Sequence, residues 1–320
     1  MHKQKPISQA FRLFFFTLVA CGLSAGLLPS SATAQDAAKL KVVLIDGQNN
    51  HDWARTSREL LAGLERIGGF EVHVETSPKK EEWDNWTIDF SKYDVVLNNY
   101  YGDPWPKGIS EGLLAFLKNG GGMVNVHAAN NAFPNWPEFN EITGLLWRNP
   151  IAGDRIHIDD ATGKAIRVKR GEGIGAGHGR KHPFVIKIRD GEHPIMKGLP
   201  TEWLHAFDEL YHGQRGPAKN MQILSSAYSS KESGGSGMHE PMTWTIPYGE
   251  GRVVTTVLGH LWKGQKELDG LQCVGFQTVV ARSLQWAAHE KVTLPVPDNF
   301  PTKDKVSLAV SPKEESEKNS

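Results

Sequence analysis

The chain has 320 residues, and 36 Lys and Arg balance 36 Asp and Glu, so the formal net charge is zero. No basic block is long enough to form the electrostatic patch that nucleic-acid binding requires, so no nucleic-acid partner is expected. Of the two cysteines, Cys21 lies in a segment with export signals, which leaves Cys273 without an intrachain disulfide partner. The length allows one large domain or two small ones.

Residues 1–34 are predicted to be a secretory signal peptide. Lys3, Lys5 and Arg12 precede an apolar run over 14–28, and the small residues at 32–34 suit cleavage. The run is too short and wrongly flanked for a stable transmembrane span. Removing this segment takes away three basic residues and no acidic ones, which leaves 33 against 36 and a formal charge of −3.

A second interpretation of the N-terminus is a lipid anchor. Residues 18–21, Leu-Val-Ala-Cys, fit a lipoprotein processing box in which Cys21 becomes the lipidated first residue. The apolar run continues well past Cys21, which favours plain secretion. Both interpretations predict an extracytoplasmic protein, periplasmic or secreted.

The N-terminal half of the mature chain predicts a parallel sheet. Apolar or alternating runs indicate strands, and stretches with helical spacing separate them. The predicted strands are 39–46, 70–75, 93–99 and 122–127, and the predicted helices are 54–69 and 110–121. This alternation predicts a flavodoxin-like α/β core, a parallel sheet with helices on both faces.

The pattern changes from about residue 150. Short alternating runs separated by Gly-rich turns predict an antiparallel β extension. These runs are 155–159, 165–170, 184–190, 221–228, 242–248 and 251–260, and a closing helix is predicted over 275–289. Residues 295–320 are rich in Pro, Lys, Glu and Ser, which predicts a disordered tail after a domain that spans 35–294.

Three predicted strands end in a histidine. His51 follows the first strand, His127 ends the fourth, and His260 ends the late run 251–260. Ligands of open α/β sheets bind beyond the carboxyl ends of the parallel strands, so we expect these side chains to meet. Further polar residues lie at strand ends or in the segment 207–213: Asn99, Asn130, Glu209, Tyr211 and His212.

Two kinds of chemistry fit this set. Three neutral imidazoles and a carboxylate can bind a divalent cation such as zinc and leave a position open for water or substrate. Alternatively, one histidine acts as a general base while the others orient a sugar. The sequence has no short metal motif of the His-Glu-x-x-His kind, and each histidine alone has a structural interpretation. His178 and His182 lie in a Gly-rich stretch that is more typical of a solvated loop.

Tryptophans are numerous in the loops that follow these strands. A flat apolar ring can cover one face of a pyranose, so such loops are typical of a sugar-binding cleft, although local packing explains any single one of them equally well. The residues concerned are Trp53, Trp105, Trp136, Trp147 and Trp262.

Several stretches resemble the ThuA-like (trehalose utilisation) family over roughly residues 40–290. The most specific are GGMVNVHAANNAF (121–133), HPFVIKIRDGEHPIMKGLPTEWLHAFDELYHG (182–213) and EPMTWTIPYGEGRVVTTVLGH (240–260). The resemblance implies a fold similar to class I glutamine amidotransferases. It also implies a link to bacterial breakdown of disaccharides through 3-keto-sugar intermediates.

The resemblance further implies a polar site at His51, His127, Glu209, Tyr211 and His260. In the amidotransferases the corner after the fourth strand carries a nucleophilic cysteine. Here that corner carries His127, and imidazole cannot replace a thiolate in forming the glutamyl thioester. Glutaminase activity is therefore not expected.

We expect a metal-assisted hydrolase or lyase that acts on keto-disaccharides or glycosides. His51, His127 and His260 would bind the metal, and the catalytic residues would be Glu209, Tyr211 and His127. The predicted substrate contacts are Asn99, Asn130, His212 and Trp262. The alternative is a non-catalytic sugar-binding module of the same fold, which the tryptophan-rich loops fit equally well.

Overall fold

The computed structural model describes residues 38–309. The predicted signal peptide, the lipoprotein box at Cys21 and the last 11 residues lie outside this range. Within 38–309, no helix has both the length and the apolar character that a bilayer span requires.

The first half of the described chain alternates strands and helices. Its elements are β1 (Leu40–Asp46), α1 (Trp53–Ile67), β2 (Phe70–Thr76), β3 (Val95–Asn98), α2 (Lys107–Lys118), β4 (Gly122–Val126) and α3 (Pro137–Thr143). The α1 helix begins where the Asp52 carboxylate accepts a hydrogen bond from the Arg55 N–H. The structure thus contains the strands and helices predicted for this half, in the predicted order.

The second half is dominated by strands. Its elements are β5 (Arg155–Ile158), β6 (Ala165–Val168), β7 (Gly177–His178), β8 (His182–Ile188), β9 (Glu202–Asp208), β10 (Tyr211–His212), β11 (Gln222–Ser229), β12 (Met238–Tyr248), β13 (Gly251–Thr256), α4 (Asp269–Gln272) and α5 (Val274–His289). Of these, β9 and the two-residue strands β7 and β10 have no counterpart in the sequence prediction.

One mixed sheet contains most of the strands. Its order is β2-β1-β3-β4-β13-β12-β11-β8-β9, with β5 and β6 branching from β12. The first five strands are mutually parallel, and β13 takes the fifth position beside β4. This is the 2-1-3-4-5 order of flavodoxin-like sheets. The remaining strands pair antiparallel, as the sequence pattern predicted. The exception is β13, which the sequence placed in the antiparallel extension and which pairs parallel with β4 on one side and antiparallel with β12 on the other.

Side chains of the parallel strands divide between two apolar clusters. Val42 and Leu44 of β1 pack in one cluster with residues of α1 and α5. Val43 and Ile45 pack in the other with residues of α2 and α3. Because successive strand side chains point to opposite faces, both faces of this part of the sheet are covered by apolar contacts.

The segment 295–309 differs from the predicted disorder. Phe300 packs on Trp203 with ring centroids 5.6 Å apart. The backbone N–H of Ala309 donates to the Gln272 carbonyl, and the Val274 N–H donates to the Ser307 carbonyl. A few apolar side chains and backbone hydrogen bonds attach this segment to the domain despite its polar composition.

The sheet topology determines where functional groups meet. In the parallel part, β4 and β13 are paired from Gly122 with Arg252 to Val126 with Thr256, so they end level with each other. Their carboxyl ends therefore lie at one edge, together with those of β1 and β3.

Candidate metal centre

Four buried side chains meet at this edge. His51, His127, His260 and Glu209 each offer a ligand atom, and all four atoms lie within 4.8 Å of one another. The three imidazole rings have centroid separations of 4.8, 4.9 and 5.1 Å. We call these four residues the ligand cluster.

Each member comes from a different part of the sheet. His51 lies in the loop after β1, where the adjacent Asp52 N–H donates to the Leu261 carbonyl. His127 follows β4 directly and has a φ of +38°, a left-handed conformation that is uncommon for a residue other than glycine. His260 follows β13, and Glu209 follows β9.

Hydrogen bonds orient two of the imidazoles. The Nδ1 of His127 lies 3.0 Å from the Val257 carbonyl oxygen, which can only accept, so Nδ1 carries the proton and Nε2 keeps its lone pair. The Nδ1 of His51 lies 2.7 Å from Oδ1 of Asn50, which has the same consequence. Such bonds are typical of the outer partners that orient metal-binding histidines.

Several polar atoms of the ligand cluster have no partner. They are Nε2 of His51, both ring nitrogens of His260, and Oε2 of Glu209. Buried polar atoms are normally hydrogen-bonded, because leaving one unsatisfied costs about 1–3 kcal/mol. Their concentration at one point indicates a site for a group that accepts electron pairs.

The electrostatics of the cluster favour neutral histidines. Burial, followed by the charge of His127, lowers the pKa of His51 from 6.5 to about 2. Burial also lowers the pKa of His127 and His260, and it raises the pKa of Glu209. Neutral imidazole is the form that can bind a metal, so the protonation state of the three histidines is compatible with a cation site.

Two further predicted residues contact the cluster. The Tyr211 hydroxyl lies 3.0 Å from Nε2 of His127. The Trp262 ring stacks on His51 with centroids 4.4 Å apart and donates from Nε1 to Oε1 of Glu209 over 2.9 Å. Trp262 is 39% exposed, so it forms the solvent side of the site.

The other three predicted substrate contacts form hydrogen bonds with protein groups outside the ligand cluster. Asn99 donates to the Trp53 carbonyl and to Ser57 Oγ, and thereby attaches α1 to β3. Asn130 donates to Oε1 of Gln214 over 2.6 Å and is fully buried. His212 follows Tyr211 in β10 and lies 3.2 Å from Ser229 Oγ.

A second buried group supports the cluster. Asp208 Oδ1 accepts from the backbone N–H groups of Glu209 and His260, at 2.8 and 3.1 Å. Its Oδ2 accepts from the Gly259 N–H at 2.8 Å and lies 2.7 Å from Nε2 of His205. One carboxylate thus holds the backbone of two ligand residues from separate strands. We call His205 and Asp208 the buried pair.

His178 lies closer to the cluster than its Gly-rich context predicts. Its Nε2 is 3.7 Å from Oε2 of Glu209, and its side chain is 33% exposed. The β7–β10 pairing places it opposite Tyr211. This pairing joins segments more than 30 residues apart, and no local sequence signal announces it.

A flavodoxin-like sheet with buried histidines and a glutamate at its carboxyl edge defines an α/β protein with a candidate metal centre. The ThuA family, described as trehalose utilisation, matches residues 41–287. The chain therefore belongs to the ThuA family, and the resemblance seen in the sequence is confirmed. Its family connects it broadly with carbohydrate catabolism.

Solved structures agree with this assignment. A ThuA-like protein from Parabacteroides merdae is 42% identical over 85% of this chain and 98% of that chain, with a TM-score of 0.80. A ThuA-like protein from Bacteroides uniformis is 18% identical over 82% of this chain and 98% of that one, with a TM-score of 0.53. The second likeness concerns the fold alone. A search of curated proteins finds no match.

Proposed function

We propose that the protein is a metal-assisted hydrolase or lyase that acts on keto-disaccharides or glycosides outside the cytoplasm. The observation that carries this proposal is the ligand cluster, in which buried and unpartnered donor atoms converge. Membership of a trehalose-utilisation family supports a saccharide substrate.

The donor set fits a divalent cation, and zinc in particular. Three imidazole nitrogens and one carboxylate oxygen are ligands that zinc accepts, and catalytic zinc sites keep a position open for water or substrate. His51, His127, His260 and Glu209 would hold the ion. When bound, it would polarise a keto oxygen or activate water.

The neighbouring side chains would bind and orient the sugar. Trp262 offers an exposed aromatic face directly above His51, where a sugar ring can stack. Burial, followed by the charge of Glu209, raises the pKa of Tyr211, so its hydroxyl keeps its proton. In the metal-free protein this hydroxyl can donate to Nε2 of His127. With a metal on that nitrogen, Tyr211 would be free to donate to a substrate oxygen.

Glutaminase chemistry does not fit the site. We propose the class I glutamine amidotransferase-like arrangement for the fold, with helices on both faces, and the two apolar clusters support it. The corner after β4 nevertheless carries His127, and Cys273 is fully buried. A nucleophilic thiolate needs access to its substrate.

A sugar-binding module without turnover is the second candidate. The exposed Trp262 face favours it, because stacking alone is enough to capture a sugar. The difference between the two candidates is whether His127 has a chemical role in addition to its place beside Tyr211.

The test compares wild type, His127→Ala and, as the control, His73→Ala in zinc content, saccharide binding and turnover, because His73 is an exposed histidine of β2. The substrates are 3-keto-trehalose and trehalose. The proposal expects about one zinc per wild-type chain, turnover lost in His127→Ala with saccharide affinity within a few-fold of wild type, and activity kept in His73→Ala. If wild type bound the saccharides without turning them over, the protein would be a binding module. If turnover continued in the presence of a chelator, the reaction would not need a metal.

We also propose export through the predicted signal peptide. Mass spectrometry of the protein from the periplasm or medium should find residue 35 as the first residue. A diacylated Cys21 would instead establish the lipoprotein.

A further inference from the structure

A cavity lies among the loops that follow β3 and β4, at the edge of the sheet that carries the ligand cluster. Its volume is about 710 Å³, within the range of about 300–1,000 Å³ that is usual for small-molecule sites. Its apolar walls include Tyr101, Trp105, Phe133 and Trp136. None of the four residues of the ligand cluster lines it. We call it the aromatic cleft.

The walls of the aromatic cleft continue the loops that carry two cluster histidines. On one side, Gln48, three residues before His51, accepts at its carbonyl from the Tyr101 N–H and at Oε1 from the Asp103 N–H, both at 2.9 Å. Gly102 packs so closely on Gln48 that a side chain there would collide with it. The His51 loop and this wall are therefore joined.

The opposite wall begins at the other cluster histidine. The turn that starts at His127 ends at Phe133, which has a φ of +49°. Arg148 donates to the Asn131 and Ala132 carbonyls and so fixes the middle of this turn. Any ligand in the cleft would thus lie on segments that are continuous with the ligand cluster.

The aromatic wall is rigid. Trp105 and Phe133 are buried, with ring centroids 5.0 Å apart, and Trp136 packs on Phe139 with centroids 5.5 Å apart. Trp136 and Tyr101 remain partly exposed toward the cavity. A preformed aromatic surface stacks a sugar ring without first losing side-chain entropy.

The polar lining selects for neutral hydroxylated ligands. Three exposed carboxylates, those of Asp103, Glu111 and Glu138, face a single lysine, Lys107, which pairs with Glu111 at 3.6 Å. Carboxylates accept hydrogen bonds from sugar hydroxyls and repel anions. Phosphorylated and acidic sugars are therefore disfavoured.

From these observations we infer that the aromatic cleft is a binding site for a neutral saccharide ring, adjacent to the ring held at the ligand cluster. The assignment to a second ring rests on the proposed function. Binding of a neutral saccharide in the cleft itself does not depend on the metal.

The experiment measures saccharide binding by isothermal titration calorimetry on the full chain. The probes are trehalose, maltose and cellobiose, with glucose as the single ring and glucose 6-phosphate as the anion. The variants are Trp136→Ala and, as the matched control, Trp83→Ala, because Trp83 is a partly exposed tryptophan in a separate surface groove.

We expect Trp136→Ala to weaken binding of at least one disaccharide tenfold or more, and Trp83→Ala to leave it unchanged. Zinc binding should be equal in all three proteins. Equal disaccharide affinity in both variants, no binding by wild type, or preference for glucose 6-phosphate would overturn the inference. The same titration with His260→Ala separates the two proposals, because cleft binding should survive where the metal site is lost.

Discussion

The ligand cluster and the buried pair are neighbouring groups of histidine and carboxylate, but their bonding differs. In the buried pair, Nε2 of His205 lies 2.7 Å from the Asp208 carboxylate, which accepts three further N–H donors. Burial alone would lower the pKa of His205, but the Cys273 thiol and the Asp208 carboxylate outweigh it and raise the pKa to about 9. The Asp208 carboxylate is thus fully paired within the protein, and only Nδ1 of His205 has no hydrogen-bond partner.

The ligand cluster is less fully paired. It places three imidazoles around one carboxylate. Nε2 of His127 faces the Tyr211 hydroxyl, whereas Nε2 of His51, both ring nitrogens of His260 and Oε2 of Glu209 have no hydrogen-bond partner. Burial therefore dominates, and the pKa values of all three histidines fall. Burial of histidine beside an acid is thus common to both groups. The ligand cluster differs in its concentration of lone pairs that no hydrogen-bond donor occupies.

The largest expected effect on metal binding is the loss of zinc affinity in His51→Ala. Structural zinc sites with four ligands bind with about 10–16 kcal/mol, so one ligand accounts for about 3–4 kcal/mol, or roughly 100- to 1,000-fold. Competition titration with a chromophoric chelator measures this. The metal-free variant should be no less stable than wild type, because it loses a buried unpartnered nitrogen. Unchanged zinc affinity would show that His51 is not a ligand.

His205→Ala should lower the free energy of unfolding and leave zinc affinity nearly unchanged, the reverse of the effects expected for His51→Ala. Removing one member of a buried ion pair costs about 3–5 kcal/mol, because the Asp208 charge is left without its partner. Urea unfolding of the metal-free protein measures this loss. Zinc affinity should change by less than about tenfold, since His205 contacts no cluster residue through its side chain. If His205→Ala lost more free energy of zinc binding than of unfolding, His205 would belong to the metal site and not to a purely structural pair.

Acid should destabilise the metal-free protein through the ligand cluster. The pKa of His51 is near 2 when folded and 6.5 when unfolded, so protons bind the unfolded chain preferentially below pH 6.5. The free energy of unfolding should fall about 1.4 kcal/mol per pH unit more steeply in wild type than in His51→Ala between pH 6 and 4. Parallel pH profiles would contradict the neutral, buried state of His51.

Asp208→Asn should moderately lower zinc affinity at the ligand cluster and weaken the hydrogen bonding of the buried pair. An amide offers one acceptor oxygen where the carboxylate serves four donors, so at least one N–H would face the amide NH₂. Loss of a group that orients ligands usually costs about 10- to 100-fold in metal affinity. Asp208→Glu keeps the negative charge and serves as the comparison variant. It should recover part of the lost zinc affinity only if the charge itself matters. Full zinc affinity in Asp208→Asn would exclude a positioning role.

The smallest effect should come from Trp262→Phe. The variant keeps an aromatic ring over His51 but loses the hydrogen bond to Glu209, which corresponds to about threefold to tenfold in zinc affinity. The same chelator competition measures it, with Trp147→Phe as a control outside the ligand cluster. If Trp262→Phe lost as much zinc affinity as His51→Ala, Trp262 would be needed to hold the ligand residues in place.

The sequence predicted the parallel half and its histidines because both have local signals. Continuous apolar runs identify β1, β3 and β4, and His127 stands where one of those runs ends. Parallel strands end at a common edge, which brings His51 and His127 together. The sequence placed the run that ends in His260 in the antiparallel extension, and its parallel pairing with β4 is what brings His260 to the same edge.

What the sequence could not predict depends on contacts between distant segments. β9 has seven residues, but its pairing with β8 is specified by neither run alone, and His178 approaches Glu209 because the two-residue strands β7 and β10 pair. Composition alone predicted disorder for 295–309, whereas Phe300 packs on Trp203 and backbone hydrogen bonds attach the segment to α4 and α5.

The left-handed backbone at His127 bears on how this position has been selected. Glycine or asparagine would adopt a φ of +38° more easily, and for other residues the conformation costs about 1–2 kcal/mol. His127→Gly should therefore relieve backbone strain while it removes an imidazole from the site. The imidazole at position 127 is therefore held at a conformational cost, which the proposed metal-binding role would account for.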